Sequence, residues 1–236
     1  MAYATAQPHL EDDKMNIEMN TIRLLGAAQL TVFVASMLSE RLLASAVGSG
    51  SISDKLTNIS NNLTRLRISN LVALFNCCAI VVLGVLFYIV FNEQYKIIAL
   101  LALGCFLAEA ITLAVSKIGT YALIPLSQEF VAAGNPEPSY LQTLGDFLYQ
   151  GVDRRGYDIH MLFFCLGGIL WYFLFYTSRS IPQALAIWGL VAICLLTLPV
   201  LSTLYNRDFT QLMILGLPYA PYEVVLGVWL ILKGFN

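Results

Sequence analysis

One carboxylate stands where carboxylates are expensive. Glu109 sits near the middle of IIALLALGCFLAEAITLAVSKIGT, Ile97 to Thr120, an apolar run long enough to cross a bilayer as a helix. At helical spacing around it lie Cys105, Thr112, Ser116 and Thr120, which makes one polar stripe on a greasy cylinder. An ionisable group at that depth costs at least a few kcal/mol, so it is expected to face protein or water rather than lipid. The chemistry open to it is that of a proton site, a ligand anchor or a general acid. Glu223, in PYAPYEVV, is the only other carboxylate that could lie within the membrane; if the last span starts at Pro218 it lies within about two turns of the end, and a solvated end carboxylate then weighs slightly more than a functional one. Thr112 and Ser116 complete the candidate ligand or proton site with Glu109 and Glu223. Arg23, Arg67 and Lys117 are the candidate charge partners. Two alternatives stay open. If the carboxylates approach one another, both cannot ionise cheaply. If a cation reaches Glu109, the two form a buried pair that is costly to break. A structural role, with Glu109 paired or hydrogen-bonded across helices, weighs about as much as a functional one.

The remaining inventory excludes more than it suggests. The chain has two histidines, His9 and His160, and five cysteines. Cys77, Cys78, Cys105, Cys165 and Cys194 all fall in apolar runs, which predicts small reduced residues and no disulfides. No metal-ligand spacing is present, so no metal and no cofactor is expected. No nucleophile–base pair and no phosphate loop appears. His160, after Asp158, reads as a capping or interfacial histidine. Trp171, Trp188 and Trp229 could line an aromatic pocket, but such residues are more often interface anchors, and Trp171 is read as one. A net charge of −2 gives no basic face to collect phosphates, which argues against nucleic acid.

The elements that must position these residues follow from composition. Hydrophobic residues make up 58% of the chain and charged ones 12%, about half the share of a soluble domain. With a mean hydropathy of +0.72, this predicts an all-α, polytopic membrane helix bundle of six transmembrane helices plus one interfacial amphipathic helix. Residues 1–20 read as a polar tail without periodicity and without a cleavable signal. One bundle domain follows over 21–236, with spans at about 21–47, 68–91, 95–120, 159–176, 181–204 and 213–233. Gln29 and Ser36, seven apart, share one face of the first span. A Ser/Asn/Gly-rich loop is expected over 48–67. The short turn Asn92-Glu93-Gln94 makes the second and third spans antiparallel neighbours. Pro125 should kink or end the third. Ser139 is a good N-cap, and Leu141, Leu144, Phe147 and Leu148 make 139–151 the interfacial helix. Pro218 and Pro221 leave the last span open to a break. An even count puts both termini on one side. A raw count of Lys and Arg favours termini outside, but the uncleaved leader and the two longest loops favour termini in the cytoplasm.

From the fourth span onward the chain resembles the "domain of unknown function 4386" family of prokaryotic membrane proteins. The resemblance rests on Phe163, Phe164 and the turn Ser178 to Pro182, and on Glu223, Trp229, Leu230, Lys233 and Gly234 in the last span, with Arg23 and Glu109 earlier. Gln183 departs from it, since a basic residue would fit that turn. The resemblance implies a six-helix bundle and no established activity.

Three functional classes remain. The first is a multi-pass cell-membrane protein that binds or carries a small apolar or amphiphilic ligand, with the polar seam orienting its head. The second is an accessory or structural subunit, with a homo-oligomer or other membrane subunits as partners besides lipids. The third is an intramembrane acid–base enzyme acting on a lipid-like substrate, ranked last for want of a catalytic pair.

Overall fold

A computed structural model describes residues 6–136 and 139–235, with side chains of 6–18 and 207–211 left aside. Among the described residues all regular structure is helical. The elements are α1 (Ala6–Val47), α2 (Ile52–Asn61), α3 (Leu63–Ala132), α4 (Tyr140–Asp146), a π-helical stretch (Phe147–Arg154), α5 (Arg155–Ser178), α6 (Gln183–Tyr205), a 3₁₀ stretch (Arg207–Gly216) and α7 (Tyr219–Leu232). Five helical segments are long and apolar enough to cross a membrane.

The longest of them is a hairpin. α3 has 70 residues, about 105 Å at 1.5 Å per residue, far beyond a bilayer core of about 30 Å. Its helical geometry breaks at Tyr95 (φ −133°, ψ 42°). The Thr120 hydroxyl donates to Asn70 Oδ1 at 2.8 Å, and the Phe87 and Phe106 rings meet edge to face at 6.2 Å. Both pairings are close to symmetric about Tyr95, so the two arms lie antiparallel, as the short turn predicts. The second arm continues to Ala132 straight through Pro125. Buried neighbours Leu123, Leu126 and Phe130 hold it on the bundle.

At the end away from Tyr95 the helices continue past the apolar spans and build a second, smaller core. It joins Leu43, Ala46 and Val47 of α1 with Leu56 and Ile59 of α2, Leu66, Leu123, Leu126 and Phe130 of α3, and Leu141 of α4. Three expectations are corrected. Residues 48–67 are not a loop: Ser51 and Asp54 form a capping box that starts α2. Leu56 and Ile59 then supply its buried stripe. Residues 6–20 are not an aperiodic tail: the backbone is helical from Ala6 on, with Pro8 in the first turn, where a missing N–H costs nothing. Residues 1–5 lie outside the described residues. The third correction is that the helix over 139–151 and the span at 159–176 are not separate. The former starts where expected, with Ser139 and Gln142 forming a capping box, but runs through the π-helical stretch into α5 without leaving the helix.

The last span is broken, as its prolines suggested. A 3₁₀ stretch packs back along α6, with Gly216 against Leu196, and α7 begins only after Pro218. α7 lies so close to α1 that a Cβ on Gly26 would stand 2.7 Å from the Gly227 carbonyl, and one on Gly227 2.6 Å from Leu30. Only glycine at both positions lets the two backbones approach this closely. Gly234 lies beside Met19, since a Cβ there would meet its sulfur at 3.2 Å. The two ends of the bundle chain therefore meet at one end of the molecule. Trp171 corrects its reading as an anchor: it is 1% exposed and stacks on Phe87 at 4.5 Å.

Candidate functional site

Glu109 and Glu223 line the same cavities inside the bundle. Glu109 is 14 residues beyond the Tyr95 fold, and Glu223 is ten residues before Lys233. At 1.5 Å per residue both lie about 15–21 Å from that end of the molecule, near the middle of a bilayer. Both are buried, at 2% and 7% exposure. Gln29 of α1 reaches the same place because Gly26 and Gly227, one turn away, hold α1 against α7.

A donor chain ends on Glu223. Gln29 Nε2 donates to its Oε1 at 3.0 Å, and the Tyr219 hydroxyl donates to the same oxygen at 3.1 Å. The Tyr172 hydroxyl, 2.6 Å from that of Tyr219, is then the donor in that contact. Tyr219 is one turn before Glu223 on α7, so the break at Leu217–Pro218 sets the tyrosine and the carboxylate on one face. Glu109 is treated differently. Its Oε2 is sealed from solvent and has no hydrogen-bond partner. Its backbone carbonyl lies 3.3 Å from His160 Nδ1.

Two cavities join the carboxylates. One of about 10 Å³, at the lower limit for a single water molecule, is lined by Gln29, Glu109, Tyr172, Tyr219 and Glu223 among apolar side chains. The other, of about 190 Å³, is lined by Glu109 and Glu223, by Ser36, Tyr157, His160 and Tyr219, and by Phe33, Met37, Met161 and Phe164 among others. Met37 and Ala220 are exposed, so this cavity reaches the flank of the bundle between α1 and the break before α7.

The other sequence candidates lie elsewhere. Thr112 turns its hydroxyl onto its own helix, donating to the carbonyls of Ala108 and Glu109. Ser116 donates to Leu113 and packs against Gly156 of α5. Neither lines the cavities. Arg23 and Arg67 are exposed and make no ion pair among the described residues. Lys117 is buried but does not reach Glu109. Its Nζ lies 2.9 Å from Asp153 and 3.8 Å from Glu40.

That lysine belongs to a buried charge cluster which the sequence reading missed. Asp153, fully buried, receives Lys117 on one oxygen and Arg154 on the other at 2.7 Å. Arg154 also meets Glu40 at 3.1 Å. Two cations and two anions thus close a neutral quartet, and Arg154 lies over the Tyr157 ring at 5.3 Å. The quartet sits about 12 Å along α3 from Glu109. The π-helical stretch aims Asp153 inward by inserting an extra residue per turn. Gly119, against the Leu148 carbonyl, lets that stretch approach α3. Asp153 and Arg154 were invisible because they were placed in a polar connection. Gln29 and Ser36 had a signal, a shared polar face on an apolar helix, and both line cavities. Tyr172 and Tyr219 had none, since tyrosine in an apolar run reads as packing. No cluster of three metal-ligating side chains occurs among the described residues.

No curated protein and no solved structure matches the chain. A family profile does match, over residues 24–234, nearly the whole bundle. The match takes in both carboxylates, the hairpin and the broken last span, and by it the chain belongs to the family described as Domain of unknown function (DUF4386).

Proposed function

We propose that this membrane protein binds or carries a small amphiphilic ligand in the 190 Å³ cavity, with the ligand's polar end at Glu109 and Glu223 and its apolar part toward the flank. The observation that carries this reading is that Glu109 and Glu223 both line a cavity large enough for a small molecule, and that Glu109 keeps a buried oxygen, Oε2, without a donor. A buried polar atom left unmet is costly, and a ligand donor would relieve that cost. The mixed lining suits an amphiphile, since ligand sites combine apolar walls with a few placed polar groups. In this reading the chain crosses the membrane six times, with the two arms of α3 as separate spans and the 3₁₀ stretch with α7 as the last.

The test is mass spectrometry of small molecules that co-purify with the full chain. Wild type should retain an amphiphile that Ala220→Trp, which fills the mouth of the cavity, does not. Equal recovery from both would sink the reading.

A second reading gains from one observation. Both carboxylates share a cavity with Tyr157, Phe164 and Tyr219, the setting in which an intramembrane acid would protonate a lipid-like substrate and aromatic faces would steady a developing cation. Chemical change of the retained amphiphile by wild type but not by Glu109→Gln would favour it.

A further inference from the structure

The 190 Å³ cavity is one-sided in charge. Its wall carries Glu109 and Glu223, one imidazole, His160, and neither lysine nor arginine. Buried Lys117 and half-buried Arg154 are already held by Asp153 and Glu40. Glu223 takes its two protein donors on Oε1, and Glu109 Oε2 takes none. Two carboxylates thus share the wall with the rings of Phe33 and Phe164. An anion would meet two carboxylates there. Pro218 and Pro221 also thin out the N–H groups at the start of α7 that could have served one. A hard metal ion takes six or more oxygens, which this largely apolar wall does not supply.

We infer, building on the ligand-binding reading above, that the occupant is a small organic ammonium ion. Its N–H groups donate to Glu109 and Glu223, and its apolar part lies against Phe33 and Phe164, where cation–π attraction adds to burial. The volume sets the size. A cavity of about 150 Å³ takes a benzene ring, so 190 Å³ takes a ring with a short aminomethyl arm. Benzylamine is therefore a suitable probe.

Isothermal titration of the purified full chain in detergent, with benzylamine, benzyl alcohol and benzoate, tests this. Benzylamine should bind at least about tenfold tighter than the neutral alcohol, the difference a charge-assisted hydrogen bond makes, and benzoate should not bind. Glu109→Gln should lose that tenfold preference while still binding the alcohol, with an unchanged thermal transition showing that it is folded. Ala220→Trp should lose both probes. Equal affinity of wild type for amine and alcohol would overturn the cationic assignment and leave the cavity reading standing. Absence of binding by either probe would overturn both. Benzylamine binding that survives Ala220→Trp would place the amine at another surface and overturn the assignment as well.

Discussion

Glu109 and Asp153 are both carboxylates buried on helices, and they differ in what faces them. Asp153 has a cation on each oxygen. Glu109 has none, and its companion is another carboxylate across a cavity. Substitution should therefore separate them. Glu109→Gln keeps the shape and hydrogen-bonding capacity of the side chain and strands no charge, so thermal stability in detergent should change by no more than about 1 kcal/mol. A loss of several kcal/mol would mean that a cation pairs with Glu109 after all. Asp153→Asn leaves Lys117, which is almost fully buried, with only Glu40 at 3.8 Å. The expected loss is about 3–5 kcal/mol, as for breaking a buried pair from one side. A loss below about 1 kcal/mol would show that water reaches the quartet and shields it.

At the scale of elements, two contacts decide whether the site is assembled. The first is the close approach of α1 and α7 at Gly26 and Gly227, which brings Gln29 to Glu223. Gly227→Leu must push α7 off α1. Overpacking of this kind costs about 1–3 kcal/mol, and it should also break the Gln29–Glu223 hydrogen bond. The readout is a lowered thermal transition together with loss of the retained ligand. The second contact is the capping box that starts α2. Asp54 accepts from the Ser51 backbone N–H at 2.9 Å and from its hydroxyl at 2.7 Å, and these bonds hold the Asp54 carboxyl below its ordinary value of 3.8. A carboxyl with a lowered folded-state pKa stabilises fully above its unfolded value and loses that contribution as pH falls through the folded one. The first turn of α2 should accordingly fray in acid, as pH falls below about 4. Hydrogen exchange of α2 amides would show this, and Asp54→Ala should remove the pH dependence at the cost of fraying at neutral pH.

The molecule as a whole is built in layers along its axis. The fold at Tyr95 and the paired ends at Met19 and Gly234 lie at one end, and the carboxylate cavity lies about 15–21 Å along the helices from it. The charge quartet follows at the far boundary, and the small core around α2 and α4 stands beyond it. Gln142 of α4 donates to Ser53 of α2 at 2.5 Å, tying the two into one cap, while Tyr140, Leu144 and Phe147 point outward. If the chain crosses six times, single cysteines at Lys55 and Gln142 should react with an impermeant reagent from one side of sealed vesicles, and a cysteine at Lys233 from the other. Labelling of all three from the same side would mean that the span count is odd or that the cap is not outside the bilayer.

Composition and apolar run length alone determined that this is a helical membrane bundle, because each residue's transfer to lipid is a local property that adds along the chain. The hairpin at Tyr95, the capped start at Ser139 and the break before α7 were legible for the same reason: a short polar turn, a capping residue and paired prolines act within a few residues. The α2 capping box was equally local, but Ser, Asn and Gly around it read as loop, and only burial of Leu56 and Ile59 against α1 and α3 tipped it to helix. Glu109 and Glu223 were identifiable one by one as carboxylates that could not face lipid. That they share a cavity, that Lys117 belongs to Asp153 and that Thr112 and Ser116 turn inward onto their own helix were decided only in three dimensions. Helical spacing says which residues share a face, not which neighbour that face meets. The neighbour was chosen by glycines at 26, 119 and 227, whose missing side chains set how closely the helices approach.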